Sequence, residues 1–181
     1  MRILSAQEAK EVDRVAMQEQ GVLSVTLMEN AGRAVAKKVD SITDGGKVGI
    51  LCGKGNNGGD GYACASFLNE MEIECDLIST IPESEITGDA RHFFDECKGK
   101  GIRFSHAQHV KEVDLGDFNL IVDGLLGTGI SGDVKPLAAE WIKAMNSTSS
   151  AVLSIDIPSG INGTNGFVCG TAVQATATVT M

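Results

Sequence analysis

The chain has 181 residues, of which 43% are hydrophobic, and carries a formal net charge of -9. That length suits one domain with a sizeable core, and a surface so acidic, with Lys37-Lys38 as a lone basic pair, repels nucleic acid. No apolar run is long enough to cross a membrane as a helix.

Ser5-Ala6-Gln7-Glu8 has the form of a capping box and predicts a helix to about Gln20, closed at Gly21. A second helix is expected from Ser24 to about Val39, with Ala31, Val35 and Val39 on one face. From there strands and helices alternate. Strands are expected at about 47–52, 73–79, 119–123 and 151–157, with a short one near 102–104. Helices are expected near 59–70, 88–98 and 134–146. Runs such as Leu120-Ile121-Val122 and Ala151-Val152-Leu153 are continuously apolar, as parallel strands covered on both faces should be. The pattern predicts a single domain over 1–181, a doubly wound, mostly parallel α/β sheet with helices on both faces. Thr176–Met181 reads as a final strand, and a sequence that stops inside a strand leads us to expect a longer natural polypeptide.

Five cysteines, Cys52, Cys64, Cys75, Cys97 and Cys169, are odd in number and widely spaced, with no Cys-x-x-Cys. This usage points to a reducing cytoplasm rather than a disulfide framework or a zinc site. His106 and His109 precede a Lys-Glu segment and read as surface residues.

The most informative segment is the break of the apolar run Val48–Cys52 into Gly53-Lys54-Gly55-Asn56-Asn57-Gly58-Gly59-Asp60-Gly61. A glycine-rich turn between a buried strand and a helix N-terminus offers free N–H groups and a favourable dipole to an anion. Gly53-x-Gly55-x-x-Gly58 matches the dinucleotide fingerprint, but that fingerprint also needs an acid at the end of the next strand to hold a ribose. Here that strand ends in Ser79-Thr80, with Asp76 in its middle, which argues against a conventional hydride-transfer site. Packing alone does not account for Asn56, Asn57 and Asp60 beside the glycines. A β-carbon at Gly58 is expected to intrude where the backbone approaches phosphate.

Two further strand ends carry unusual loops, Asp123–Asp133 and Ser154–Gly160. In the common doubly wound order the first, fourth and fifth strands are neighbours, so the three loops should meet at the topological switch point. Asp123 and Asp156 are read as embedded in apolar strands, where a carboxylate needs a cation, backbone donors or a substrate proton to compensate its burial. Each has a plainer reading as a turn cap, and Ser159 as the start of a turn. Asn57, Asp123 and Ser159 can supply three oxygens to one hard cation, and a single carboxylate suits a monovalent ion better than calcium or magnesium.

Leu27-Met28-Glu29-Asn30-Ala31-Gly32, Cys52–Gly61, Asp123–Gly129 and Ser154–Gly160 together resemble the NAD(P)HX epimerases, the N-terminal domain of the YjeF type. The resemblance covers nearly the whole chain. It implies a Rossmann-like enzyme, an isomerase that interconverts the R and S epimers of NADHX and NADPHX, hydrated and damaged forms of NADH and NADPH. It implies that Asn56, Asn57, Gly58, Gly59, Asp60, Gly127, Thr128, Gly129, Ile130, Ser131, Gly132, Asp133 and Asp156 hold the substrate. It also implies a potassium ion on Asn57, Asp123 and Ser159. Asp156 is the expected acid/base, with Asp60 in reserve. Such proteins act beside an ADP- or ATP-dependent NAD(P)HX dehydratase, as a separate protein or a fused domain. A homodimer through the two N-terminal helices and a cytoplasmic location are also expected. The alternatives are a nucleotide- or RNA-binding module of the same fold without turnover, and an ordinary NAD-linked dehydrogenase.

Overall fold

A computed structural model describes residues 5–130 and 132–181. Helix α1 (Ala6–Glu19) opens on the capping box, with the Ser5 and Glu8 side chains and backbones bonded reciprocally. Helix α2 (Ser24–Ile42) extends three residues past the expected end and buries Met28, Gly32, Val35, Ala36 and Val39 on one face. Then follow β1 (Val48–Cys52), α3 (Asn56–Glu70), β2 (Cys75–Ser79), α4 (Gly88–Gly99), β3 (Arg103–His106), β4 (Leu120–Gly124), α5 (Pro136–Ser147), β5 (Ala151–Ile155) and β6 (Ala177–Val179). Three short 3-10 turns lie at Glu83–Glu85, Val110–Glu112 and Leu115–Asp117.

The six strands form one sheet in the order β3-β2-β1-β4-β5-β6, and every pairing is parallel. Helices α2, α3 and α4 cover one face through a cluster that includes Val35, Phe67, Leu68 and Phe94. Helix α5 covers the other through Trp141, Ile142 and Met145, which pack on Leu51, Ile121 and Val152. The central strands β1, β2 and β4 are buried along their full length, which is why runs such as Ile50–Cys52 and Leu120–Val122 are apolar without alternation. The order reverses between β1 and β4, so the carboxyl ends of β1, β4 and β5 open on one crevice.

Two of the boundaries that differ from the sequence reading bear on the site. Helix α3 begins at Asn56 rather than near residue 59, so Asn56, Asn57, Gly58, Gly59 and Asp60 belong to its first turns instead of a loop. The entry is made by Gly55 at φ 102°, a conformation that a β-carbon disfavours. Strand β5 ends at Ile155, so Asp156 is not embedded in it. Asp156 stands one residue beyond, at φ 62°. Left-handed backbone at a residue with a β-carbon stops a strand, and Asp tolerates it better than most residues.

The structure adds a packing reason for glycine at position 58. A β-carbon there would collide with the Gly53 carbonyl oxygen, closer than any real contact. Its smallness therefore lets α3 press against the β1 exit. Gly58→Ala is expected to cost about 1–3 kcal/mol, as overpacking does, and to lower the melting temperature by roughly 2–10 °C. Gly99→Ala, whose β-carbon would meet open space, should leave it unchanged or raise it slightly. Thermal denaturation of the two variants checks the contrast.

Candidate active site

Asp123 is fully buried, with none of its surface exposed. In register it sits between Leu51 of β1 and Ser154 of β5. Its carboxylate accepts four hydrogen bonds. The Ser154 hydroxyl donates at 2.8 Å and the Ser159 N–H at 2.9 Å to one oxygen. The Ser159 hydroxyl donates at 2.6 Å and the Leu125 N–H at 3.3 Å to the other. Burial raises its pKa above the usual carboxylate value, while the bonds from Ser159, Ser154 and Leu125 act in the opposite direction.

From Ser159 the network reaches the β4 loop and then α3. The Leu126 N–H donates to the Ser159 hydroxyl at 2.8 Å, and the Leu126 carbonyl oxygen lies 3.1 Å from the same hydroxyl. The Asn57 side-chain amide donates to that carbonyl at 2.9 Å. Asn57 and Ser159 thus meet at the Leu126 carbonyl, and Ser159 ties them to Asp123. Gly127 continues the contact, since a β-carbon on it would sit 3.4 Å from that of Asn57.

Oxygens crowd around the Ser159 hydroxyl. The Ser159 hydroxyl has one hydrogen and faces two acceptors, the Asp123 carboxylate and the Leu126 carbonyl. Given to Asp123 at 2.6 Å, it leaves the Leu126 carbonyl to the Asn57 amide N–H. A hard cation of low charge relieves such crowding, and oxygens from an amide, a carboxylate, a hydroxyl and a carbonyl are the donors it takes. Among the described residues no group of three or more His, Cys, Asp or Glu side chains is placed to hold a metal, so the donor set to consider is this mixed one.

Two other carboxylates face the crevice, and a third comes from α1. Burial pushes Asp60 up to about 7, and the charges of Asp156 and then Asp13 add to it. Asp156 is raised as well, first by burial, opposed by an N–H from Met181, with the Asp13 charge adding a smaller push. The Asp156 backbone N–H donates to the Val179 carbonyl at 2.7 Å, so β6 holds the backbone of Asp156, while the Met181 N–H just beyond β6 bonds its side chain. Two interacting acids with separated pKa values can work as a proton donor and a proton acceptor at neutral pH. Burial favours the protonated form of both.

The remaining expected residues divide. Asn56 is exposed at the start of α3, while Gly58 and Gly59 are buried in its first turn. Thr128 packs beside Gly163 and Ala6, which brings the start of α1 to the β4 loop. Gly129 and Gly132 are exposed, and Ile130 is half-buried. Asp133 lies against Gly170, at the far end of the loop from Asn57. Ser131 lies outside the described residues. The sequence reading missed Ser154, Asp13 and the Leu126 carbonyl. Ser154 carried a signal, as a hydroxyl in an apolar strand in register with Asp123.

A six-stranded parallel sheet with a glycine-rich helix entry and polar groups gathered at its switch point defines a Rossmann-like domain with a small-molecule site at the carboxyl ends of its strands. The family model for the YjeF-related protein N-terminus matches residues 24–181, and the chain belongs to that family. It is 35% identical to an NAD(P)H-hydrate epimerase of Rhodopirellula baltica, over 98% of this chain and 73% of that protein. It is 33% identical to a bifunctional NAD(P)H-hydrate repair enzyme Nnr of Thermofilum pendens, over 99% of this chain but 35% of that longer protein. The crystal structure of yeast ynu0, YNL200c, superposes with a TM-score of 0.85 at 21% identity, over 98% of this chain and 79% of that one.

The acid pair has a consequence for stability. A carboxyl whose folded pKa is raised, here from 3.8 to about 7 for Asp60, binds its proton more tightly in the folded state. It stabilises the fold below about pH 4 and loses that contribution as pH rises through about 7. Asp60→Asn is therefore expected to flatten the fall in stability between about pH 4 and 7 and to gain on the order of 1–3 kcal/mol at pH 8, after solvent screening. Denaturant midpoints across that pH range check it.

Proposed function

We propose that the crevice between α3, the β4 loop and Asp156 catalyses epimerisation of NAD(P)H-hydrate, the hydrated form of NADH or NADPH. The pairing of Asp60 and Asp156 at the mouth of a glycine-rich switch-point site carries this reading, and the relatives named as NAD(P)H-hydrate epimerases support it. The reacting carbon bears a hydroxyl beside the ring nitrogen. Such a hemiaminal inverts either by losing and regaining hydroxide or by opening the ring, and both routes move a proton at that hydroxyl. Asp156 is the acid/base that takes and returns it. Asp60, raised by burial, keeps a proton close by and is the second candidate. The N–H groups at the start of α3 and the segments Asn56–Asp60 and Gly127–Asp133 hold the substrate.

A potassium ion fits the oxygen cluster, held by Asn57, Asp123 and Ser159. When bound, it supplies positive charge that balances the buried Asp123 and fixes the β4 loop and α3 relative to each other. The chain's own residues carry the proton. The bifunctional relatives favour an ADP- or ATP-dependent dehydratase as functional partner, fused or separate. Helix α1 buries no side chain and displays Val12 and Met17, which favours a homodimer through the N-terminal helices; a light-scattering mass near twice 18.9 kDa checks it. Five buried free thiols favour a cytoplasmic setting, and no helix of the described residues is long and apolar enough to cross a membrane.

Asp156→Asn should slow equilibration of a single purified NADHX epimer by about 10²–10⁴-fold over the spontaneous floor, with the fold intact. A rate close to wild type would transfer the role to Asp60. Replacing potassium chloride with lithium chloride at equal ionic strength should remove a saturable stabilisation on the order of 2–3 kcal/mol. Asp123→Asn should abolish the difference between the two salts, and melting curves in each salt read it.

A further inference from the structure

A second concavity lies on the other side of the α3 entry, and the chemistry described above does not use it. It is a cleft of about 370 Å³ between the Gly53–Asn56 turn and the segment that joins β2 to α4. Its volume falls within the range of about 300–1,000 Å³ typical of small-molecule sites. Met28, Tyr62, Ile81, Ile86 and Ala90 give it an apolar lining. Tyr62 and Ile86 are buried, so the floor is fixed. The Tyr62 hydroxyl is engaged with the Ser79 hydroxyl at 3.1 Å, which in turn donates to the Ile81 carbonyl at 2.8 Å. The ring lies buried beneath the cleft with its polar tip already satisfied.

The rim is polar. Lys54 and Glu85 face each other across it at 3.1 Å, and Asp89 lies in the first turn of α4. A slot with apolar lining residues and carboxylates at its edge suits a flat heteroaromatic base joined to a ribose, whose hydroxyls need acceptors. The strand end itself offers no such acceptor, because Asp76 is paired with Lys47 at 2.8 Å near the start of β2.

Asn56 lines the cleft, and its neighbour Asn57 belongs to the oxygen cluster on the β4 side. The cleft and the carboxylate site therefore lie on opposite flanks of one helix N-terminus. A dinucleotide has the same arrangement, two nucleosides on either side of a pyrophosphate. We infer that the cleft between Gly53–Asn56 and Ile81–Ala90 is the subsite for the adenosine half of the substrate, with the reacting ring on the Asp60–Asp156 side. This rests on the epimerase reading.

The probe is ADP-ribose, which carries the adenosine and pyrophosphate but no nicotinamide ring. Ala90→Phe fills the cleft from α4. It is expected to weaken ADP-ribose binding by about tenfold or more in calorimetry, and to raise the KM for NADHX similarly while kcat stays within about twofold. Photolabelling of the wild-type chain with 8-azido-ADP-ribose, followed by peptide mapping, is expected to mark residues 81–90 and needs no variant to fold. Labelling confined to residues 127–133, unchanged binding by a folded Ala90→Phe, or no ADP-ribose binding by the wild type would each overturn the subsite. Equilibration of NADHX epimers by the wild type is scored separately. An active enzyme labelled elsewhere rejects the subsite alone, whereas an inactive one rejects the epimerase reading.

Discussion

The Asp123 carboxylate is the point at which the sheet and the site become one structure. It is sealed between β1 and β5, where an unpaired charge would be costly, and four donors satisfy it. Two come from Ser159, one from Ser154 and one from Leu125, so a single group aligns the exit of β4, the strand β5 and the turn that follows it. Ser159 then passes the constraint to Leu126, and Leu126 to Asn57. Loss of one partner would leave a buried polar group unpaired and disturb three segments together.

This arrangement separates two tasks that both use carboxylates. Asp123, buried and fully bonded, is structural and electrostatic. Asp60 and Asp156 are half-buried and face a crevice where their protons can exchange. Their environments differ from that of Asp123 in access rather than in residue type, and this difference decides which acids are available for chemistry. The glycines of the α3 entry serve the same division. They bring the helix close enough for Asn57 to join the buried cluster while Asp60, one turn on, faces the crevice.

The sheet and its order were legible because continuous apolar runs and alternating elements leave few topologies open. The convergence of Asn57, Asp123 and Ser159 followed from strand order alone. Other features had no local signal. The left-handed turn at Asp156 depends on pairing with β6, whose residues lie more than twenty positions away. Asp13 faces the acid pair because α1 lies beside the β4 loop, and nothing in an amphipathic helix sequence says which neighbour it will meet. The crowding at Gly58 comes from the Gly53 carbonyl, an atom that every residue possesses, so the sequence could suggest a close approach but not what approaches.

The anchoring of Asp156 to β6 has a dynamic consequence. Strand β6 has three residues, pairs on one side only and is partly exposed. Short edge strands are where local opening is least costly, often far below the free energy of global unfolding. Each such opening withdraws the Val179 carbonyl and the Met181 N–H from Asp156 and frees its backbone from the left-handed turn. The position of the proposed acid/base is thus set by the breathing of the sheet's margin, while the oxygen cluster a few residues away is bound to the rigid centre.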